Sequence, residues 1–345
     1  MRIGSTEISR SSSPYIIAEL GVNHDGSPEK ALELTKLAAE AGAHAIKLQL
    51  FKADLLMSKA AKLAAYQKAA GETDPVEMLR RLELSIEQME PCVKLAHQLG
   101  IHAIVSVFSV ELVREAERLP WDAYKTASPD IINLPLLQAL ADTGKPLIVS
   151  TGASTLEEIK RAIGWLKPIH NRLAILQCVS SYPTPPEQAE LGGIPAIAEI
   201  WDGVVGYSDH TDGVTIGKDA VGLGARILEK HFTYSRAAQG PDHSASLEPR
   251  DMKTYCQNAA VGRQTVLERK PSKQVLPIEQ DVRRVSRQSI VATRPLVAGT
   301  TLSRADLTIK RPGTGIAPFE LASILGRVLT RGVEADMPLQ LQDLT

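Results

Sequence analysis

The sequence contains few cysteines and no long hydrophobic run, and its charges are almost balanced. Its 345 residues include 39 Lys and Arg against 40 Asp and Glu, which gives a formal net charge of −1. This balance argues against nucleic acid or an anionic membrane as a partner. No apolar run approaches the roughly 20 residues that span a bilayer, and residues 1–13 lack the apolar centre of a signal peptide.

The three cysteines also restrict the class of protein. Cys92, Cys178 and Cys256 are isolated in the sequence and form no close pair. We therefore expect buried thiols in a reducing compartment, which predicts a cytoplasmic protein rather than a disulfide-stabilised one.

Short apolar runs alternate with helical patterns along the first 270 residues. Such alternation is typical of parallel strands joined by crossover helices. Eight units of this size predict an α/β fold with a (β/α)8 TIM barrel. An open doubly wound sheet is the alternative, but no Gly-x-Gly-x-x-Gly follows the first strand. The predicted strands are Tyr15–Leu20, Ala45–Leu50, His102–Val107, Ala123–Thr126, Pro146–Ser150, Leu173–Val179, Gly203–Ser208 and Ile227–Phe232.

Capping signals mark several of the helices. Ser27 and Pro28 begin the first helix, and Gly42 follows its end. The run Ser154-Thr155-Leu156-Glu157 has the pattern of a capping box beginning at Ser154. Residues 50–84 form a longer connection than usual, so we expect a loop with helical pieces at the mouth of the barrel. Further helices are predicted at 86–99, 110–119, 134–142 and 251–267.

The pattern changes near Pro271, which predicts a second, smaller domain. Residues 1–270 form the predicted barrel domain, the polar residues 271–284 a linker, and residues 285–345 a compact β-rich domain. Its predicted β segments are Ser289–Ala292, Leu307–Lys310 and Val328–Thr330.

Charged and imidazole side chains recur where the apolar runs end. Glu19, Lys47, Lys125, His210 and His231 each stand at or just after such an end. Active sites of (β/α)8 barrels lie at the carboxyl ends of the strands. We therefore expect these five side chains to share one mouth.

Two lysines at strand ends predict a bound anion. An unpaired buried ammonium would tend to lose its proton, so Lys47 and Lys125 each need a negative partner. Cations and hydroxyls together suit a phosphate and a carboxylate. The alternative is that each lysine pairs with a nearby Asp or Glu. The hydroxyls at or near the strand ends belong to Ser106, Ser150, Ser180 and Ser208.

Two histidines at consecutive strand ends predict a metal site. Neighbouring strands lie about 5 Å apart, so the imidazoles of His210 and His231 could share one divalent cation. Without a nearby thiolate we expect an open site completed by water and substrate oxygens, not a structural zinc site. Tyr182 and Asp242 follow two strand ends as well, but packing and turn formation are alternative roles for them.

The ordered set of motifs resembles the sialic acid synthase family, which makes N-acetylneuraminate, legionaminate and pseudaminate and includes spore-coat polysaccharide members. The resemblance covers nearly the whole chain, and the ordered set is more specific than any single motif. The motifs are Ile17-Ala18-Glu19, Asn23-His24-Asp25-Gly26, Ile46-Lys47-Leu48-Gln49, Ala123-Tyr124-Lys125, Ser150-Thr151-Gly152, Tyr182-Pro183-Thr184-Pro185, Gly206-Tyr207-Ser208-Asp209-His210-Thr211, Glu229-Lys230-His231-Phe232-Thr233, Gly240-Pro241-Asp242 and Lys310-Arg311-Pro312-Gly313.

The resemblance implies condensation of phosphoenolpyruvate with the open-chain aldehyde of an N-acylated amino sugar, releasing phosphate. It also implies an antifreeze-like (SAF) small domain and a domain-swapped homodimer in which Arg311 reaches the other subunit's substrate. Manganese is the implied metal at His210 and His231, with magnesium or cobalt as alternatives. Positions matching phosphoenolpyruvate contacts are Lys47, Ser106, Lys125, Ser128, Ser150, Ser208 and His210; those facing the sugar or reacting centre are Glu19, Gln49, Tyr182, Asp242 and Arg311.

Four positions depart from the family pattern and leave the sugar open, and the two that matter most for the site are Ser180 and Asp130; the others are Ser106 for threonine and Ser235 for aspartate. Ser180 stands where asparagine is common and loses an amide that contacts substrate, and Asp130 replaces a glutamate. Glu19 and Asp130 are the candidate proton carriers. The alternatives are a metal-dependent aldolase or isomerase on the same barrel and a non-catalytic carbohydrate-binding protein.

Overall fold

The computed structural model describes residues 1–264 and 266–345 and centres on a barrel of eight parallel strands. Each barrel strand pairs with two neighbours, so the barrel is closed. The strands are β1 (Arg2–Ile3) and β2 (Thr6–Glu7), which form a hairpin, then β3 (Tyr15–Gly21), β4 (Ala45–Leu50), β5 (His102–Val107), β6 (Ala123–Thr126), β7 (Leu147–Ser150), β8 (Leu173–Cys178), β9 (Val204–Asp209) and β10 (Ile227–His231) in the barrel. The predicted (β/α)8 barrel is confirmed, and the open doubly wound sheet is wrong. Each predicted strand bound lies within one residue of the observed one.

The helices lie around the outer face of the barrel, over its mouth and in the carboxyl-terminal region. They are α1 (Pro28–Glu40), α2 (Ala53–Leu56), α3 (Ala65–Ala69), α4 (Pro75–Arg81), α5 (Ile86–Gln98), α6 (Val110–Ala116), α7 (Leu134–Asp142), α8 (Leu156–Trp165), α9 (Gly193–Ile200), α10 (Ile216–Gly222), α11 (Pro249–Gly262), α12 (Gln280–Ser286) and α13 (Leu321–Ile324). The helix predicted at 251–267 ends at Gly262, and its Thr265 lies outside the described residues. Within those residues, every helix is too short or too polar to cross a bilayer.

The capping box predicted at Ser154 lies one residue further along the chain. Thr155 is the N-cap, and its side chain accepts from the Glu158 backbone N–H while the Glu158 carboxylate accepts from the Thr155 N–H. Ser154 Oγ instead donates to the Gly152 carbonyl at 3.0 Å. The cap predicted at Ser27 is confirmed, because Ser27 Oγ accepts from Lys30 N.

Apolar side chains fill the amino end of the barrel interior and leave its carboxyl end to polar groups. Ile17, Ala45 and Ile104 project inward and form one buried cluster with Ile3 and Ile8 of the amino-terminal segment. Because strand side chains alternate between faces, the next inward position on β3 after Ile17 is Glu19. The functional residues therefore begin directly above this apolar layer.

The long connection between β4 and α5 lies over the carboxyl end of the barrel. It contains α2, α3 and α4, as the length of residues 50–84 predicted. Leu56 and Met57 pack in a buried cluster with Phe51 and Phe108, which follow strands β4 and β5. The connection therefore forms a wall of the mouth rather than a free loop.

The carboxyl-terminal region forms a separate small core. Strands β11 (Ser289–Ala292) and β12 (Leu307–Lys310) pair antiparallel, and Ile290, Leu307 and Leu329 lie in the buried cluster. The β segment predicted at 328–330 forms isolated bridges rather than a continuous strand, because Val328 pairs with Thr301 and Leu329 with Leu344. The segment predicted as a linker contains a short 3-10 turn, Pro277–Glu279, and the start of α12.

A hydrogen-bonded loop after β3 joins the barrel mouth to the loop after β10. Asn23 Nδ2 donates to the Phe232 carbonyl and to Ser246 Oγ, both at 2.9 Å. His24 is buried, and its Nδ1 accepts from Gly26 N at 3.0 Å. Asp25 accepts from Lys30 and Tyr234, each at 2.7 Å, and lies 2.8 Å from His243 Nε2.

Acidification should destabilise the protein through His24. Burial lowers the pKa of His24 to about 4, whereas in the unfolded chain the pKa of this histidine is about 6.5. Between these values the unfolded state binds the extra proton, so stability falls as pH decreases. The expected loss from this group is about 2 kcal/mol between pH 7 and pH 5, measured by denaturant unfolding.

The variant His24→Asn keeps an acceptor near the Nδ1 position and should flatten this part of the pH dependence. His170→Asn, at a half-exposed surface histidine, is the matched control and should keep the wild-type slope. An unchanged slope in His24→Asn would contradict the assignment.

Candidate active site

A cavity of about 130 Å³ opens at the carboxyl end of the barrel. Fourteen of the fifteen residues predicted for the site line it; Asp130 does not. The lining residues are Glu19, Lys47, Gln49, Ser106, Lys125, Ser128, Ser150, Ser180, Tyr182, Ser208, His210, His231, Asp242 and Arg311. The structure thus brings them together, while the role of each one stays a prediction.

An ion network crosses the floor of the cavity. Lys47 Nζ lies 2.7 Å from Glu19 Oε2 and 3.4 Å from Glu229 Oε2, and Lys125 Nζ lies 3.4 Å from Glu229 Oε1. All four side chains are buried. Each lysine therefore pairs with a carboxylate in this structure. This is the second of the two explanations that the sequence left open for the lysines, the first being a bound anion. Two hydroxyls join the network: Lys47 donates to Ser106 Oγ, and Ser208 Oγ donates to Glu229.

The network shifts the proton affinity of its members in different directions. Burial lowers the pKa of Lys47, but Glu19 and Glu229 outweigh it and hold that pKa above the ordinary value. Burial dominates at Lys125 and lowers its pKa despite Glu229. Burial raises the pKa of Glu19, while for Glu229 the two ammonium groups overcome burial and lower the pKa. Lys125 is therefore the less fully neutralised cation of the pair.

Three serines converge beside Lys125 at the ends of neighbouring strands. Ser128 Oγ accepts from the Gly152 N–H at 2.9 Å. A Cβ at Gly152 would lie 2.2 Å from Ser180 Oγ and 2.8 Å from Ser128 Oγ, so only glycine fits there. Ser150 Oγ is buried without a hydrogen-bond partner among the described residues. This serine group has a donor available for an anion.

The two imidazoles lie side by side, with ring centroids 5.4 Å apart. His210 Nδ1 bonds to the Val179 carbonyl at 2.7 Å, which leaves Nε2 as the free nitrogen. His231 Nδ1 is buried without a hydrogen-bond partner among the described residues, 3.6 Å from Asp242 Oδ2. Burial lowers the pKa of His231 well below its ordinary value. Burial lowers the pKa of His210 as well, but Cys178 and the Val179 carbonyl outweigh it and hold that pKa above the ordinary value. The free nitrogens of the two imidazoles, next to a carboxylate, fit a divalent cation, although no cluster of three protein ligands occurs in the described part of the chain.

Two carboxyl groups near the cavity keep protons close to neutral pH. Burial raises the pKa of Asp130 to about 7, with Arg311 as the main opposing charge. Burial, and then repulsion by Glu19, raises the pKa of Asp242 to about 6. Groups with such pKa values can give and take protons at neutral pH.

Arg311 reaches the cavity from the small domain of the same chain. Its backbone bonds to Leu56 O at 2.8 Å and accepts from Ser58 N at 3.0 Å, which fixes it against the long connection. Arg311 Nε is buried and has no hydrogen-bond partner among the described residues. The swapped arrangement predicted above would instead place Arg311 over a second chain's barrel.

Sequence reasoning missed two residues of this site. Glu229 bridges both lysines, and the signal was available because it stands two positions before His231, on the same face of β10. The ring centroid of Tyr66 on α3 lies 4.9 Å from that of Tyr182, which in turn lies 4.2 Å from that of His210, with the rings tilted by 36°. Nothing in the local pattern around Tyr66 indicates this contact.

The NeuB family model matches residues 34–268, more than half of the chain, and the SAF domain model matches residues 287–345. The chain belongs to the NeuB family. The resemblance to the sialic acid synthase family is therefore confirmed, and the small domain is a SAF domain, as predicted.

Individual relatives of this NeuB-family chain match over nearly its whole length. The N,N'-diacetyllegionaminic acid synthase of Legionella pneumophila is 41% identical over 94% of this chain and 93% of that protein. The protein of the same name from Campylobacter jejuni is 34% identical over 93% of this chain and 97% of that protein. The crystal structure of the spore coat polysaccharide biosynthesis protein SpsE from Bacillus subtilis has a TM-score of 0.84 and 28% identity, covering 100% of this chain and 99% of that one.

Neutralising Glu229 should make the stability of the protein depend on an added anion. In Glu229→Gln, Lys125 loses the carboxylate beside it, and breaking a buried ion pair costs about 3 kcal/mol. We expect the variant to lose that stability in denaturant unfolding without phosphate and to be stabilised more than wild type by inorganic phosphate.

Glu157→Gln provides the matched control, because Glu157 is an exposed partner of Lys160 on α8. It should behave as wild type with and without phosphate. Equal responses of Glu229→Gln and wild type to phosphate would contradict an anion site between the lysines.

Proposed function

We propose that this chain joins phosphoenolpyruvate to the open-chain aldehyde of an N-acylated amino sugar and releases inorganic phosphate. The observation that carries the proposal is that one cavity holds two buried lysines, a group of serines and two imidazoles in a NeuB-family barrel. Because a 41% identical relative is named as a legionaminic acid synthase, we propose a 2,4-diacetamido-2,4,6-trideoxy sugar as the acceptor.

The two lysines and the serine group would bind the phosphate and the carboxylate of phosphoenolpyruvate. Lys125 is incompletely neutralised, and Ser150 Oγ lacks a partner in the described part of the chain. Fixed cations of this kind bind an anion and hold it in the orientation needed for reaction. They would keep the enol carbon of the substrate close to the aldehyde carbon.

His210 and His231 would hold a divalent cation, for which we propose manganese, with magnesium or cobalt as alternatives. When bound, such a cation would supply Lewis acidity toward the aldehyde oxygen. The fit rests on His231 Nδ1, a buried nitrogen with no hydrogen-bond partner among the described residues. Tyr182, whose ring packs against His210, would hold that imidazole in place.

Carboxyl groups would supply the proton transfers. The new carbon–carbon bond forms between the enol carbon and the aldehyde carbon, and the aldehyde oxygen gains a proton. Water then adds to the adjacent carbon, which carries the phosphate, its proton is removed, and phosphate leaves by cleavage of the bond between that carbon and the phosphate oxygen. Asp130 and Glu19 are the proposed proton carriers, since burial raises the pKa of each toward neutral pH.

Gln49, Asp242 and Arg311 would contact the sugar. Gln49 Nε2 donates to Glu19 Oε1 at 2.6 Å, so the amide oxygen stays available for a hydroxyl. Arg311 has a buried Nε without a partner within the described chain, which suits a substrate oxygen. The three unpaired cysteines agree with the cytoplasm as the proposed location.

Phosphate release from phosphoenolpyruvate should require an amino sugar and a divalent cation. The sugar panel is N-acetylmannosamine, 2,4-diacetamido-2,4,6-trideoxymannose and its altrose isomer, each with manganese and with chelator. We expect chelator-sensitive release, fastest with the trideoxymannose. His231→Ala should lower kcat/KM by roughly 100-fold or more, because it removes a proposed metal ligand.

His170→Ala, at a half-exposed surface histidine, is the control and should keep wild-type turnover. Turnover with pyruvate in place of phosphoenolpyruvate would indicate an aldolase. Sugar binding without any phosphate release, in folded protein, would indicate a carbohydrate-binding protein.

We also propose a homodimer in which the small domains are exchanged. The segment 266–276 has no helix or strand, so a different path of this segment would let the same Arg311 contacts form with a second chain. Mixing unfolded Arg311→Ala and His231→Ala chains and refolding them should then restore activity, because one of the two sites in the mixed dimer carries neither change. Refolding each variant alone is the control. If the refolded mixture recovers no activity and the protein has a monomeric mass in solution, the exchange of small domains is contradicted. Arg311 would then contact the cavity of its own chain.

A further inference from the structure

We propose that Glu279 is a positioning residue that fixes the serine group of the cavity, an inference that rests on the proposed function. Glu279 lies between the residues matched by the two family models, in the segment that leads from the barrel to the small domain. It is fully buried, although that segment is polar in composition. A buried carboxylate needs strong hydrogen bonds to remain charged.

Glu279 obtains these hydrogen bonds from two loops of the barrel mouth. Its Oε1 accepts from Ala153 N at 2.6 Å and from Ser180 N at 2.7 Å, and its Oε2 accepts from Leu276 N at 2.9 Å. Ala153 follows strand β7 and Ser180 follows strand β8. One oxygen atom therefore joins two strand ends that carry residues of the cavity.

The same segment also holds the carbonyl of Ala153. Arg283 and Arg287 both donate to this oxygen and to the Glu158 carboxylate on α8. Ala153 has a φ of 50°, a left-handed conformation that residues with a Cβ rarely adopt. Both polar groups of a strained residue are thus bound by side chains from residues 279–287.

Ala153 directly follows Gly152, the residue around which the serines of the cavity lie closest together. Gly152 N donates to Ser128 Oγ, and a Cβ at Gly152 would lie 2.2 Å from Ser180 Oγ. Ser128, Gly152 and Ser180 are therefore in close mutual approach. A shift of either loop would change the spacing of the hydroxyls that bind the anion, and misplacement by about 1 Å costs up to about 100-fold in rate.

An opposite explanation makes the opposite prediction. Two converging N–H groups can also form an anion site, which the Glu279 carboxylate would block. Removal of the carboxylate would then strengthen phosphate binding, whereas loss of a positioning residue weakens it. The sign of the change separates the two explanations.

The test compares Glu279→Gln and Glu279→Ala with Gln280→Ala, a change at the exposed neighbouring residue. Steady-state kinetics should show KM for phosphoenolpyruvate raised about 10-fold or more in Glu279→Gln and further in Glu279→Ala, with a smaller change in kcat. Hydrogen exchange should accelerate in residues 150–154 and 178–182 of both Glu279 variants. Gln280→Ala should match wild type in both measurements.

Hydrogen exchange keeps this test independent of the reaction. If wild type releases no phosphate, the proposed function fails, while faster exchange in Glu279→Gln still supports the positioning of the two loops. Unchanged exchange would overturn the inference even in an active enzyme. Tighter binding of inorganic phosphate to Glu279→Gln, measured by calorimetry, would overturn it in favour of the blocked anion site.

Discussion

The buried ion network of Glu19, Lys47, Lys125 and Glu229 is the interaction on which the cavity depends. Removing four charged groups from water carries a large cost, which only good geometry and further hydrogen bonds can offset. The closed barrel provides that geometry, because Glu19 lies in register with Lys47 on one side and with His231 on the other. A slip of one residue would turn these side chains outward. The network therefore fixes the strand register as much as the strands fix the network.

Much of this arrangement could be predicted from the sequence, for a specific physical reason. Parallel strands in a barrel all end at the same side, so polar residues at strand ends had to converge, as Lys47, Lys125 and His210 do. Partners across the barrel were harder to predict. Glu229 can be identified only from the alternation of side chains along β10, which places it on the same face as His231 two residues later. Tyr66 lies in a connection whose path depends on tertiary packing.

The segment between the domains shows where composition misleads. Residues 271–284 are polar and were predicted as a linker, yet Glu279 is fully buried and Val282 is nearly so. Glu279 shows why a polar residue is buried here. Its carboxylate accepts hydrogen bonds from three backbone N–H groups, two in the barrel loops and one in the segment itself. The conformation of Ala153 could not be foreseen either, because alanine gives no sign of a left-handed φ.

Charge balance connects the network with the proposed reaction. Without substrate, two lysines face two carboxylates, so a phosphate and a carboxylate entering the cavity would create an excess of negative charge. Arg311 offsets part of it. Asp130 and Asp242, with pKa values of about 7 and 6, can offset more by holding protons, and a nearby anion raises both values further. Binding of the anion would therefore load these carboxyl groups with protons. Of the two, Asp130 is the proposed proton carrier, so the burial that makes it costly to ionise also prepares it to donate.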